Sequence, residues 1–375
     1  MTIVYILPSL EHNGGAERII SEKANYFAEH FGHSVYMITL FQNNGSLNYY
    51  HLSSKVHQIN LDIPYHTQYN YKYPKRLWIK FHINCNMRKQ LSQTVNMINP
   101  DILIGVSYSK AELICSIPCK AKKIIECHEP KSLISSKIYN GSLFSKLYTK
   151  YYYFKSIEQR ADLIVTLTNE GKKEWEKAKR VEAIPNFSSM SISQYSTCTT
   201  KKIIAVGRLR EEKGFDRLID IWKMISEKYP DWQLNIFGEG YLKDELKNKI
   251  KTSNLKNITL QGSTSSISKE YSTSSICVST SYLEGFSLAL LEAMRHGVPC
   301  VAFNCPYGPA NIIKNDLCGY LIDNNNNSLF AEKLCALIED ESLRHKFSQE
   351  CLKQVKLFDV DIIMKQWQDL FKSLQ

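Results

Sequence analysis

The sequence predicts an α/β protein made of two doubly wound parallel-sheet domains facing across a cleft. Three observations lead there. Short β-branched runs alternate with helical stretches along the whole chain, which is the signature of a parallel sheet with helices on its faces. A polar, uncharged stretch from Asn186 to Thr200 (NFSSMSISQYSTCTT) divides that alternation into halves of similar size. The 375 residues suffice for two separate cores, and 43% apolar with 22% charged residues excludes wholesale disorder. The expected division is an N-terminal domain over 1–185, a linker over 186–200, a C-terminal domain over 201–357 and a final helix over 358–375.

Ile3 to Leu7 is a β-branched apolar run, followed by a loop with paired glycines, Gly14 and Gly15, that enters an amphipathic helix. Strand, glycine loop and helix begin a doubly wound unit. Val35 to Leu40 and Val56 to Leu61 supply the next strands, and Pro74 opens a long basic helix to about Ile98. Ile102 to Val106, Lys123 to Cys127, Leu163 to Leu167 and Val181 to Ile184 complete the first set, with His128-Glu129-Pro130 at one strand end. The second half repeats the grammar with a strand at Lys202 to Val206, a loop over Gly207 to Gly214 and a helix from Phe215. Gln233 to Phe237, Ile258 to Leu260, Ile276 to Thr280, Cys300 to Phe303 and Gly319 to Ile322 give further strands. Ligands of such sheets bind beyond the carboxyl ends of the strands. The final helix opens with Asp359-Val360-Asp361; acidic residues suit a helix start, so no metal is assigned to this D-x-D triplet.

The formal charge of +10 is unevenly placed, since Pro64 to Arg160 carries 16 Lys and Arg against 5 Asp and Glu. Lys72, Lys75, Lys80, Lys146 and Lys150 stand among two aromatic clusters, one of Tyr71, Tyr73, Trp78 and Phe81 and one of Phe144, Tyr148 and Tyr151 to Phe154. Such a surface suits anionic headgroups or an acidic substrate; the alternative is a solvated basic face with its aromatics in the core. No nucleic-acid recognition motif accompanies the charge, so nucleic acid is not expected as a partner. Eleven cysteines at irregular spacing, without a C-x-x-C pair, fit buried thiols of a reducing compartment. No apolar run approaches the length of a spanning helix, and MTIVYILPSL lacks a basic n-region. The expectation is a cytoplasmic protein, peripheral at the inner face of a membrane.

The stretch Ser281 to Gly297, SYLEGFSLALLEAMRHG, places Glu284 and Glu292 on either side of an expected loop-to-helix junction. Gly285 permits close backbone approach, and the amides of Phe286, Ser287 and Leu288 would be unpaired donors at the positive end of the helix. Five segments carry a resemblance: GGAER from Gly14, the strand-end His128, GRLREEKGFDRLI from Gly207, IFGEG from Ile236 and EGFSLALLEAMRHGVPCVA from Glu284. In that order and at those separations the chain resembles glycosyltransferase family 4, retaining GT-B enzymes that use a nucleotide sugar.

The resemblance implies a hexose or N-acetylhexosamine moved from a UDP-linked donor to a glycan or lipid-linked acceptor, with no cofactor and no metal. The first domain would bind the acceptor and the second the nucleotide sugar, with the final helix packed back on the first domain. By the same resemblance Arg208 and Lys213 bind the diphosphate, Glu292 the ribose hydroxyls and Glu284 the donor sugar, which His128 approaches from the other domain. Gly14, Gly15, Gly207, Gly238 and Gly285 would let the backbone lie close to the donor. A leaving diphosphate gathers negative charge as the glycosidic bond breaks, and fixed cations and amides aimed at it meet the main catalytic need. The resemblance implies retention by front-side attack, in keeping with the lack of a carboxylate that stands out as a covalent nucleophile. The segment CPYGPANII, Cys305 to Ile313, is similar to family members that build bacterial capsule, exopolysaccharide or lipopolysaccharide, except that Asn311 stands where they commonly carry Glu. The competing functions are a GT-B enzyme of another reaction type, such as a phosphorylase or an epimerase, and an inactive membrane-binding scaffold.

Overall fold

The structure, a computed structural model, describes every residue except His12 and 139–146, together with the side chains of all others but 136–138 and 149–150. Phe144 and Lys146 lie outside the described residues, as does the side chain of Lys150. The chain divides into two compact units, one of Met1–Pro185 with Ile363–Gln375 and one of Asn186–Ile362.

The first unit holds a seven-stranded sheet in the order β3-β2-β1-β4-β5-β6-β7. Its strands are β1 (Thr2–Leu7), β2 (Ser34–Thr39), β3 (Val56–Asn60), β4 (Ile102–Val106), β5 (Lys122–Cys127), β6 (Leu163–Thr166) and β7 (Val181–Ala183). All pair in parallel, with Ile3 beside both Val35 and Ile102. The central strands are apolar on both faces because helices cover both, and every residue of β4 and β6 is buried. The helix Lys75–Ile98 buries Met87, Leu91 and Val95 in this core, one stripe at helical spacing that the partly buried Ile83 and Ile98 extend, and ends on Asn99 in the left-handed conformation. The final helix, Val360–Lys372, contributes from Ile363 onward: Phe371 packs on Phe27 with ring centroids 5.1 Å apart, and Gln368 bonds His33 at 2.7 Å.

The second unit holds a six-stranded parallel sheet in the order β10-β9-β8-β11-β12-β13. Its strands are β8 (Lys202–Val206), β9 (Gln233–Phe237), β10 (Ile258–Gly262), β11 (Ile276–Ser279), β12 (Cys300–Phe303) and β13 (Gly319–Ile322). The uncharged stretch expected as a linker belongs to this unit. Its hydroxyls and carbonyls are held at element ends: Ser196 Oγ donates to the Ser274 carbonyl at 2.6 Å, and Arg344 Nε to the Cys198 carbonyl at 2.8 Å. Strand order reverses between β1 and β4 in one unit and between β8 and β11 in the other, so the loops beyond those strands flank the ligand crevice of each sheet. Among the described residues no helix is long and apolar enough to cross a membrane.

Candidate active site

Beyond β8 the backbone is stitched to its neighbours on both sides. The Gly207 amide donates to the Phe237 carbonyl at 3.0 Å and the Leu209 amide to the Glu239 carbonyl at 2.9 Å, so the loop after β8 runs beside the loop after β9. Gly238 makes this approach feasible: at φ +144° a Cβ there would stand 1.9 Å from the Gly207 carbonyl oxygen. On the other side, a Cβ at Gly214 (φ +61°) would meet the Thr280 carbonyl oxygen at 2.1 Å, and Thr280 Oγ1 donates to the Gly214 carbonyl at 2.8 Å. The expected loop over 207–214 contains a 3-10 turn, Glu211–Lys213, that delivers Lys213 to the loop beyond β11.

There Lys213 Nζ donates to both carboxylate oxygens of Glu284, at 2.7 and 2.8 Å. Ser281 Oγ adds a third hydrogen bond to Glu284 at 2.6 Å. The carboxylate is buried, while Lys213 is partly open to solvent. An ammonium has three protons, so Lys213 can serve Glu284 and still donate to an incoming phosphate. Gly308, in the CPYGPANII segment, borders the same carboxylate: a Cβ there would come within 2.7 Å of Glu284 Cβ. Arg208 is not drawn into this pair. Its side chain is 45% exposed and its nearest acid is Glu212 at 3.8 Å, which leaves the guanidinium fork able to swing onto an anion.

The helix expected from Phe286 begins two residues later, as Leu288–Arg295, with Ser287 at its N-cap in the left-handed conformation (φ +73°). Phe286 is withdrawn because its ring packs edge-on against Phe358, centroids 5.7 Å apart, and the chain reverses at Ser287 to start the helix. A non-glycine residue in this region is strained by roughly 1 kcal/mol or more, a strain found at ligand sites. The Leu290 and Leu291 amides both point back to the Ser287 carbonyl, at 3.2 and 3.3 Å, so the Leu288 amide lies before the first helical bond. Glu292 is buried, accepts from Tyr271 Oη at 3.4 Å, and its carbonyl bonds His296 Nδ1 at 2.8 Å. Gly285 lies between Glu284 and Phe286 in the intervening turn.

In the first unit, Gly14 caps the helix Gly15–Glu29 in extended conformation. A Cβ at Gly14 would meet the Glu17 carboxylate at 1.8 Å, and Tyr108 Oη donates to the other Glu17 oxygen at 3.1 Å. His128 is buried just past β5, with Nε2 at 3.0 Å from Glu126 Oε2. A carboxylate only accepts, so Nε2 carries the proton. The same oxygen takes the ammonium of Lys23, itself buried with its cation 4.3 Å from the Trp367 ring centroid. Burial alone would raise the Glu126 carboxyl, but the Lys23 ammonium and the His128 ring outweigh it and hold it at about 2.

Sequence reasoning missed Lys23, Glu126 and Arg217. Arg217 Nε and Nη2 donate to the Thr280 and Ser281 carbonyls, both at 2.6 Å, and Nη1 to Asn324 at 2.8 Å. Its guanidinium lies against Tyr282 and Phe303, so it clamps the loop that carries Glu284. A signal was available for all three, namely a charged residue in an apolar context: Arg217 before Leu218 and Ile219, Glu126 in KKIIEC, and Lys23 on the buried face of its helix.

Residues 194–354 match the family of glycosyl transferases group 1. The amylovoran biosynthesis glycosyltransferase AmsD of Erwinia amylovora is 28% identical over 98% of this chain and 99% of its own. The poly(ribitol-phosphate) α-N-acetylglucosaminyltransferase of Staphylococcus aureus is 32% identical over 52% of this chain and 40% of its own. Among solved structures, S. aureus TarM in complex with fondaparinux, α-GlcNAc-glycerol and UDP superposes with a TM-score of 0.78 over 99% of each chain at 16% identity, a likeness of fold. The chain thus has a GT-B fold, and its residues 194–354 are similar to the glycosyl transferases group 1 family.

Proposed function

We propose that this protein is a glycosyltransferase that moves a hexose or N-acetylhexosamine from a UDP-sugar to a glycan or lipid-linked acceptor in bacterial surface-polysaccharide synthesis, with retention and without a metal, at the inner face of the cell membrane. The observation that carries the reading is the Lys213–Glu284 pair at the β8–β11 switch point, beside a helix start whose first amide is unbonded within the helix. The UDP held by the TarM structure supports the choice of donor.

In this reading the bond from the anomeric carbon to the distal phosphate oxygen breaks, and both its electrons go to the leaving diphosphate. Lys213, Arg208 and the Leu288 amide meet the charge that develops there. The acceptor hydroxyl attacks the anomeric carbon from the same face, and its proton passes to the leaving phosphate oxygen. Glu292 takes the ribose hydroxyls, while Glu284 and His128 contact the donor sugar.

A panel of nucleotide sugars scored by thermal shift and slow hydrolysis identifies the donor before the acceptor is known. Lys213→Ala is expected to lower turnover of that donor by roughly 10²-fold or more; wild-type turnover in the variant would remove Lys213 from the mechanism. Activity is expected to survive a chelator, and a loss restored by magnesium or manganese overturns the metal-free reading.

A further inference from the structure

The first two turns of the helix Lys75–Ile98, up to His82, stand away from the core, which the helix first meets at Ile83. Only Met87, Leu91 and Val95 of its 24 residues are buried, so the first dozen residues, about 18 Å of helix, have no buried member. Large apolar side chains are nevertheless concentrated there: Leu77 is 54% exposed, Trp78 63% and Phe81 64%, with Tyr73 78% exposed just before the helix. The aromatics of this cluster are therefore not in the core, which removes the alternative of a plain solvated basic face.

At 100° per residue Leu77, Phe81 and Trp78 fall within about 100° of one another, and Lys80 and Lys75 lie about 60° beyond either edge of that arc. An apolar strip bordered by long cationic side chains is the pattern of a helix that lies in a bilayer interface. Charge at the helix start is also against the local interest of the helix. Lys75 and Arg76 occupy the first turn, which holds no acidic residue, although the macrodipole favours anions there. From Pro64 to Pro100 the chain has six Lys and Arg and no Asp or Glu. That surface repels a second copy of itself. Polyanions such as nucleic acid complement the charge but give Leu77 and Phe81 no apolar medium to enter.

We propose that the first turns of this helix are a docking element for a bilayer with anionic headgroups, in which Leu77, Trp78 and Phe81 enter the headgroup–acyl boundary while Lys75 and Lys80 meet the lipid phosphates. The inference concerns where the enzyme works and holds whichever sugar it transfers. Trp78 also supplies the probe, since the other four tryptophans, Trp175, Trp222, Trp232 and Trp367, are buried.

The test is co-sedimentation of the full chain with phosphatidylcholine vesicles made with and without phosphatidylglycerol, alongside iodide quenching of tryptophan fluorescence. The wild type is expected to bind the anionic vesicles, to lose binding as salt rises, and to show Trp78 fluorescence that shifts to the blue and escapes iodide. Two surface variants, Trp78→Ser/Phe81→Ser and Lys75→Glu/Lys80→Glu, are each expected to weaken that binding at least about tenfold with an unchanged melting temperature. Failure to bind anionic vesicles overturns the proposal. So does binding that survives the serine double variant, wild-type Trp78 that iodide still quenches on the vesicles, or binding to RNA that outcompetes the vesicles. Hydrolysis of the donor nucleotide sugar, which needs no membrane, separates failure here from failure of the proposed reaction.

Discussion

Lys23 and Glu126 are a buried ion pair, and the consequence of breaking it differs from that of removing it. Lys23→Met takes away the ammonium paired with the Glu126 carboxylate, and an uncompensated buried charge costs about 3–5 kcal/mol. The double variant Lys23→Met/Glu126→Leu is expected to recover most of that stability, because apolar groups of similar volume satisfy a dry site. Urea unfolding of both proteins checks this, and equal loss in single and double variants would mean that the pair contributes packing only. The pH dependence follows from the depressed carboxyl. Its folded value of about 2 lies below the ordinary 4.5, so the unfolded chain binds more protons in between. The stabilisation is complete above the unfolded value and is lost as pH falls from about 4.5 toward 2. Lys23→Met should move that acid limb to higher pH, while the double variant should lack the Glu126 contribution altogether. Neither partner was legible as a pair in the sequence: they are 103 residues apart, and only the fold places both under His128.

At the scale of elements, the loop between β11 and the helix Leu288–Arg295 depends on a residue from another element, the helix Phe215–Ile225. Arg217 forks onto two consecutive carbonyls and lies against Tyr282 and Phe303, so it sets where Glu284 can stand. Lysine keeps the charge but cannot reproduce the planar fork. Arg217→Lys is expected to lower kcat/KM for the donor by about tenfold or more through a displaced Lys213–Glu284 pair. Steady-state kinetics with the donor found in the nucleotide-sugar panel gives the answer, and unchanged kcat/KM would reduce Arg217 to a packing residue. The strands and the loops at their ends were readable because continuous apolar runs bounded by Gly and Pro have few alternatives. The same local reading placed the helix start at Phe286. It could not foresee that Phe286 is needed against Phe358, 72 residues on, which forces Ser287 into the left-handed turn. Nor could composition decide which aromatics are covered: Trp78 and Phe81 are exposed, whereas Tyr153 and Phe154, in an equally basic stretch, are buried.

For the whole molecule, the division into two units makes a prediction about where a nucleotide acts. Each unit has its own parallel sheet and its own core, and the last helix contributes Val360–Ile362 to one and Ile363 onward to the other. The groups assigned to the diphosphate and ribose, Arg208, Lys213, Leu288 and Glu292, all belong to the second unit. UDP alone should therefore slow amide exchange over 207–214 and 284–292, and over 236–240 because the loops after β8 and β9 are bonded through Gly207 and Leu209. At 100 times its dissociation constant the ligand should stabilise the protein by about 2.7 kcal/mol, enough to read as a slower opening of those segments. The segment around His128 should respond only when the sugar is present as well, because its assigned partner is the donor sugar. Protection by UDP concentrated in the first unit would place the nucleotide on the other sheet and overturn the assignment of Lys213, Glu284 and Glu292 together.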